Sequence, residues 1–159
     1  MQRELPLPSH PAPDDVVLRP QEPADAEARG HLYWNAYPRG NAVVSLEDAV
    51  EEMEAVFEGE YGTVIDEASV VAVDRAGALV GCVQVVTDAP WEGTPEGPFI
   101  IELFVHRDHR GHGLGRALLD AASRSLVALG YDKVTLKSLP AESPEAYSLY
   151  QGLGFHELP

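Results

Sequence analysis

The sequence predicts a mixed α/β fold, and three segments carry this prediction. Residues 99–119 begin as a continuous apolar run, pass through a glycine-rich loop and end with apolar residues at helical spacing. Residues 69–73 and 78–87 are apolar runs on either side of the turn-forming segment 74–77, which predicts a β-hairpin. Residues 46–58 place apolar side chains at helical spacing and glutamates on the other face, as in an amphipathic helix.

The chain before the hairpin divides into an arm, a strand and two helices. Four prolines within residues 1–15 predict a flexible N-terminal arm, ahead of a single domain over residues 16–159. Residues 16–20 form a short apolar run that predicts a first strand, and a helix follows from residue 23 to about residue 37. Ser45 is a suitable N-cap for the amphipathic helix.

Glycine and proline mark the boundaries of the later elements. Residues 88–98 hold three prolines and two glycines, which predicts a loop. Gly130 is a suitable C-terminal stop for the helix that begins at Leu114, and Ser143-Pro144 is a suitable start for a short helix. The resulting order of elements is β-α-α-β-β-β-α-β-α-β. The last two strands are predicted over residues 132–137 and 155–158.

Composition excludes several classes of function. The chain has 159 residues and a formal net charge of −15, which disfavours binding to nucleic acid or to an anionic membrane. No apolar run approaches the roughly 20 residues of a membrane span, and no signal peptide is visible, so we expect a cytoplasmic protein. The single cysteine, Cys82, rules out an internal disulfide and a cysteine-based zinc site.

The loop between the apolar strand and its following helix is typical of an anion site. Gly111, Gly113 and Gly115 alternate there, and the first turn of the helix presents backbone N–H groups without intrahelical partners. Three arginines cluster around these glycines: Arg107, Arg110 and Arg116. The glycine spacing does not fit the G-x-G-x-x-G pattern of dinucleotide-binding oxidoreductases, and a P-loop's Lys and Ser/Thr are missing.

Two motifs resemble signatures of the GNAT superfamily, the N-acetyltransferases that use acetyl-coenzyme A. Arg110-x-x-Gly113-x-Gly115 resembles the pyrophosphate-binding loop, and Ala146–Phe155 resembles the A-x-x-L-Y-x-x-x-G-F segment. The resemblance covers roughly residues 16–158. It implies a mixed, mostly antiparallel central sheet of six to seven strands flanked by four helices, with acetyl-CoA as co-substrate.

The resemblance assigns cofactor contacts to three places in the chain. Backbone N–H groups of the glycine loop would hold the pyrophosphate, with side-chain charge from two arginines. The edge of the strand before the loop would pair with the pantetheine arm, and a backbone N–H there would stabilise the tetrahedral intermediate. The expected cofactor residues are Leu103, Phe104, Val105, Arg110, Gly111, His112, Gly113, Leu114, Gly115, Arg116, Ser143 and Tyr147. Ser143 stands where the superfamily often has Asn, which predicts a weaker contact.

Two side chains are candidates for the proton transfers. Glu102 interrupts an apolar strand, where burial would raise the pKa of its carboxyl, and it is the best candidate for the general base. Pairing with an arginine and exposure to solvent are the alternatives for this carboxylate. Tyr150 matches the superfamily's tyrosine beside the thiolate leaving group, and aromatic packing is its alternative role.

The acceptor is defined less closely than the cofactor. Tyr33, Trp34, Tyr37 and Trp91 are candidates for the walls of its pocket, with core packing as the alternative for the first three. The acids within residues 47–67 predict a cationic small amine or a peptide amine as substrate, unless they only form a solvated face. Monomer and homodimer are both open.

A metal site is not expected. His106, His109 and His112 are spaced by three, but they lie in a strand-to-loop connection among arginines, which would oppose a cation. Two functions are carried forward: an N-acetyltransferase that works by direct attack of the amine in a ternary complex, and a non-catalytic acyl-CoA-binding module of the same fold. The presence of both Glu102 and Tyr150 favours the enzyme.

Overall fold

The computed structural model describes residues 1–37 and 43–159, which form seven strands and four helices. The strands are β1 (Gln2–Glu4), β2 (Val16–Pro20), β3 (Thr63–Val64), β4 (Val70–Asp74), β5 (Leu79–Thr87), β6 (Phe99–Val105) and β7 (Lys133–Leu136). The helices are α1 (Ala26–Ala36), α2 (Leu46–Phe57), α3 (Leu114–Ala128) and α4 (Pro144–Gly152). Short 3₁₀ turns lie at Pro23–Asp25, Asp66–Ala68 and Arg107–His109.

The strands form one sheet in the order β1-β7-β6-β5-β4-β2, with β3 added beside β5. Its neighbouring strands are antiparallel except β6 and β7, which are parallel. Parallel neighbours need a crossover connection, and α3 provides it between these two strands. The mixed, mostly antiparallel sheet and the four helices of the described residues confirm the predicted fold.

A hydrophobic core lies on each face of the sheet. Successive residues of a strand point to opposite faces, so β5 contributes to both cores. Val83 and Val85 pack in the core that contains residues of α3, whereas Cys82 packs in the core that contains residues of α1 and α2. The two helices that precede the hairpin therefore cover one face, and the helix after the glycine loop covers the other.

The parallel strands β6 and β7 separate after two residue pairs, and this split creates the site. Phe99 pairs with Thr135 and Ile100 with Leu136. Beyond these pairs β6 continues to Val105, hydrogen-bonded to β5 on its other side. Within the described residues, no strand pairs with β6 on the β7 side over this second half, so its edge faces α4 across a gap.

The structure differs from the sequence prediction at both ends of the chain. The arm predicted to be flexible begins with β1, which pairs antiparallel with β7, and its residues Met1 and Leu7 are buried in the core. The prolines do not prevent this pairing because all four follow β1. The strand predicted over residues 155–158 is reduced to one bridge, between Gln2 and His156, because β1 takes the edge of β7.

The arm continues from β1 along α3 to the glycine loop. The Leu7 N–H donates to Ser123 Oγ at 2.7 Å, and the His10 N–H donates to Asp120 Oδ2 at 3.1 Å. These two bonds place the imidazole of His10 against Gly113, in the space that a Cβ on that glycine would take. The arm is thus in contact with the start of α3.

Candidate functional site

A cleft of about 550 Å³ opens where β6 and β7 separate. Its walls come from the end of α1, the second half of β6, the start of α3, the segment after β7 and one face of α4. The structure brings nine predicted site residues together around it, four of them from β6. The nine are Tyr37, Glu102, Leu103, Phe104, Val105, Arg110, Gly115, Ser143 and Tyr150. Sequence positions more than 100 residues apart therefore share one cavity.

The glycine loop presents the positive end of α3 beside this cleft. Gly113 is the N-cap of α3 with φ +79°, and as a glycine it has no side chain of its own to cap the helix. Helical hydrogen bonding begins with the Ala117 N–H, which donates to the Gly113 carbonyl. The N–H groups of the first turn before it are suited to an anion because they lack intrahelical partners and carry the helix dipole's partial positive charge.

The side chains of Arg110 and Arg116 both contact other parts of the protein. The Arg110 guanidinium donates from Nη2 to the Ala36 carbonyl at 2.5 Å and from Nε to the Val105 carbonyl at 3.2 Å. The Arg116 side chain reaches α4, where its Nη2 lies 3.5 Å from the position of a Cβ on Gly152. Arg110 therefore braces the loop against main-chain carbonyls.

Glu102 is partly buried at the middle of the cleft wall, where Tyr37 is its hydrogen-bond partner. The Tyr37 hydroxyl donates to Glu102 Oε2 at 3.1 Å. Burial raises the pKa of the Glu102 carboxyl to about 7, and the charge of Glu52 acts in the same direction, whereas the bond from Tyr37 opposes them. The sequence left open an arginine as the partner of Glu102, whereas in the structure the partner is Tyr37.

Tyr150 both packs and lines the cleft. Its ring lies edge-on to Phe155, with centroids 5.6 Å apart, and only 7% of the residue is exposed. Burial, followed by the nearby charge of Glu102, raises the pKa of its phenol above the ordinary value. A phenol in this state keeps its proton at neutral pH and remains a donor.

Several predicted site residues lie outside the cleft lining. Tyr33 is buried between α1 and the sheet, edge-on to Phe104 at 5.4 Å, and Trp34 packs beside the same core. Tyr147 lies on α4 with its hydroxyl donating to Glu157 Oε1 at 2.9 Å. Gly111 and His112 are exposed at the tip of the glycine loop.

A second cavity, of about 580 Å³, adjoins the cleft at the point where the strands separate. The two share Ile100, Ile101 and residues 136–139. Trp91 lines the second cavity and stacks on Tyr61, with ring centroids 6.1 Å apart and planes at 15°. Sequence reasoning missed Tyr61 because no local pattern connects it with a tryptophan 30 residues later.

The described residues offer neither a metal cluster nor a membrane-crossing helix. Within 1–37 and 43–159, no three His, Cys, Asp or Glu side chains are grouped so as to hold a metal ion. The His106 Nδ1 instead accepts from the Asp108 N–H at 3.1 Å. None of the helices in those ranges combines the length and apolar character that a bilayer crossing requires.

Comparison with known families accounts for this arrangement. The family model described as an acetyltransferase (GNAT) domain matches residues 66–157, which include the hairpin, the glycine loop, α4 and every cleft wall except the end of α1. The chain belongs to the GNAT acetyltransferase family. The resemblance read from the two sequence motifs is thereby confirmed.

A curated relative of this GNAT chain is an acetyltransferase by name. It is 34% identical over 160 residues to a mycothiol acetyltransferase of Thermobispora bispora, and the match covers 98% of the chain. The chain spans about half the length of that relative, 52%.

Solved structures share the GNAT fold at low sequence identity. The aminoglycoside N-acetyltransferase AAC(6′)-Iy in complex with CoA has a TM-score of 0.68 at 19% identity, with 95% of this chain and 94% of that chain covered. A GNAT family N-acetyltransferase from Escherichia coli in complex with CoA has a TM-score of 0.64 at 24% identity, with 93% and 73% covered.

Proposed function

We propose that this chain is an acetyl-CoA-dependent N-acetyltransferase that acetylates a primary amine by direct attack in a ternary complex. The observation that carries the proposal is the position of Glu102, which lines the same cleft as the free edge of β6, the start of α3 and Tyr150. Membership of the GNAT acetyltransferase family and the likeness to a mycothiol acetyltransferase support acetyl transfer.

Acetyl-CoA would lie along β6 with its diphosphate at the glycine loop. The edge of β6 from Ile101 onward presents main-chain donors and acceptors to the cleft, which suits the amides of an extended pantetheine arm. The N–H groups at the start of α3 suit the diphosphate. A β6 N–H beside the thioester would stabilise the oxyanion that forms during attack.

Glu102 and Tyr150 would divide the proton transfers. An alkylammonium has a pKa of about 10, and the amine attacks only after it has lost a proton. A carboxylate whose pKa is about 7 accepts that proton better than an ordinary glutamate at neutral pH. As the C–N bond forms and the C–S bond breaks, the Tyr150 hydroxyl gives its proton to the departing thiolate and is reprotonated from solvent.

The acceptor is proposed to be a cationic amine, either a small molecule or a peptide, that enters through the second cavity. Trp91 is stacked on Tyr61, and its ring centroid lies 5.7 Å from that of Phe99. The three rings form an aromatic surface that suits a cation. Glu92 and Glu157 line the same cavity, and the chain's net charge of −15 adds to the attraction.

The test measures free thiol released from acetyl-CoA with a panel of cationic, neutral and anionic amines. Cys82, the single cysteine, has 0% exposure, so a thiol reagent reports CoA. We expect thiol release with cationic amines, and a rate of release about 10²-fold lower in Glu102→Gln. The matched control is Glu27→Gln, an exposed glutamate on α1.

Two other outcomes would change the assignment. Binding of acetyl-CoA without thiol release across the whole panel would identify the chain as a non-catalytic acyl-CoA-binding module. Release that is dominated by anionic acceptors would contradict the cationic class, even if the chain is an enzyme.

A further inference from the structure

The last turn of α1 is tied to the segment that leads into the glycine loop. The Arg107 N–H donates to Asn35 Oδ1 at 3.1 Å, and the Arg107 Nη2 lies 3.5 Å from the Tyr37 carbonyl. Arg110 adds the bond from its Nη2 to the Ala36 carbonyl. Three consecutive residues at the end of α1 are therefore held by two arginines of that segment.

These contacts have a clear electrostatic reason. The last carbonyls of a helix lack intrahelical partners and carry the negative end of the helix dipole, so guanidinium groups bind them well. No basic residue lies in the last turn of α1 itself. Arg107 and Arg110 supply the positive charge instead, and they donate to carbonyls at the end of α1 that lie about 70 residues away in sequence.

Tyr37 links these arginine contacts to the carboxylate of Glu102. It is the C-cap of α1 and has extended backbone angles, φ −102° and ψ 146°. Its ring centroid lies 4.7 Å from that of Tyr33 and 6.1 Å from that of Phe104. Its hydroxyl donates to Glu102 Oε2. Glu102 itself lines the cleft, on the side where substrate would enter.

We propose that Tyr37 is a positioning residue that holds Glu102 by one oxygen, and that Arg107 and Arg110 couple this hold to the glycine loop. The inference rests on the proposed function, since it assigns Glu102 as the base. It adds a residue outside both sequence motifs to the machinery. It also gives Arg110 the role of a brace instead of a phosphate ligand.

The coupling has a consequence for the pH dependence of the reaction. Among the groups that face Glu102, Tyr37 stabilises its charged form through a hydrogen bond, and Glu52 disfavours it by like charge. Loss of the Tyr37 hydroxyl therefore raises the pKa of the base. Among the described residues, the ionisable groups that interact electrostatically with Glu102 are Tyr33 and Tyr37 at α1, Glu52 from α2, Tyr61, Cys82 from β5 and Tyr150 from α4.

The experiment compares kcat/KM for a cationic amine across pH in the full chain and in Tyr37→Phe, which keeps the ring and its packing. We expect the acid limb to move to higher pH by about one unit, and kcat/KM at pH 7 to fall about fivefold because less of the base is deprotonated there. The KM for acetyl-CoA should stay close to wild type. Tyr131→Phe, the same chemical change on the segment after α3, should leave the profile unchanged.

Arg110→Lys tests the second half of the proposal, since a lysine cannot reach two carbonyls in the geometry of the guanidinium. We expect it to move the acid limb in the same direction as Tyr37→Phe, and the double variant to show no further shift because both changes act through one contact. A separate shift in the double variant would refute the coupling. Variants are compared only after their thermal unfolding midpoints are measured.

The outcomes separate this inference from the proposed function. An unshifted acid limb in Tyr37→Phe, together with loss of activity in Glu102→Gln, would overturn the role of Tyr37 and leave the enzyme intact. Full activity in Glu102→Gln would remove the base itself, and with it the proposed mechanism.

Discussion

Replacement of Gly113 by alanine tests whether the glycine loop holds acetyl-CoA. Gly113 has φ +79°, a conformation that costs an L-residue about 1–2 kcal/mol. A Cβ there would also meet the imidazole of His10, which would have to leave its packed position. Moving a side chain off its rotamer adds about 0.5–1.5 kcal/mol, so the free energy of unfolding should fall by about 1.5–3.5 kcal/mol.

Two other glycines separate backbone strain from the contact with His10. Gly111 also has φ +79° and Gly130 has φ +91°, and no atom of the described residues lies within 4 Å of a Cβ at either position. Alanine at each should cost about 1–2 kcal/mol, which lowers Tm by roughly 2–8 °C in a chain of this length. His10→Ala combined with Gly113→Ala should recover the part that the imidazole contributes.

Calorimetric titration with acetyl-CoA then distinguishes the site from the rest of the fold. A loop displaced by one lost N–H contact to the diphosphate should bind about tenfold more weakly. We therefore expect weaker binding in the variants at Gly111 and Gly113 and wild-type affinity in Gly130→Ala, which is equally strained but lies at the far end of α3. Wild-type affinity in both loop variants would refute the placement of the diphosphate.

Three further predictions concern the acceptor cavity and the fold. Trp91→Ala should raise the KM for a cationic amine about fivefold, through loss of a cation–π contact, and leave the KM for acetyl-CoA unchanged. An equal rise of both KM values in the thiol-release assay would contradict this. Asp25 accepts two bonds from Arg19, at 2.8 and 2.9 Å, which hold its pKa below the ordinary value. The ion pair contributes its full stabilisation above the pKa of Asp25 in the unfolded chain, about 4. That stabilisation is lost as the pH falls through the lower pKa of Asp25 in the folded protein. Urea unfolding should therefore show Asp25→Asn to be about 1–3 kcal/mol less stable at pH 7 and equal to wild type at strongly acid pH. Leu7→Ala should cost about 2–3 kcal/mol, because Leu7 is 6% exposed, and an unchanged unfolding midpoint would mean that the arm is loose.

Contacts between residues close in sequence were predictable. The Ser45 hydroxyl accepts from the Asp48 N–H at 3.1 Å, so the expected cap of α2 is present. Gly130 takes positive φ just after α3, as a C-terminal stop requires. Such contacts span four residues or fewer, and the residue types involved have few other ways to satisfy the helix ends.

Strand pairing at the sheet edge was not predictable in the same way. The arm was expected to be loose because its prolines dominate the local pattern, whereas Gln2 pairs with Thr135, far along the chain. Which chain segment reaches the open edge of β7 depends on where α3 and α4 leave room for it. The same reasoning explains why the predicted last strand became a single bridge to β1.

The amino-acid sequence alone determined the family, the buried strand that carries Glu102 and the glycine turn before α3, because each of them depends on a local pattern of neighbouring residues. Only the tertiary structure decided that the Tyr37 hydroxyl binds Glu102 and that the Arg110 guanidinium binds the end of α1. These bonds join atoms 65 and 74 residues apart, and a long side chain has many partners within reach until packing excludes all but one.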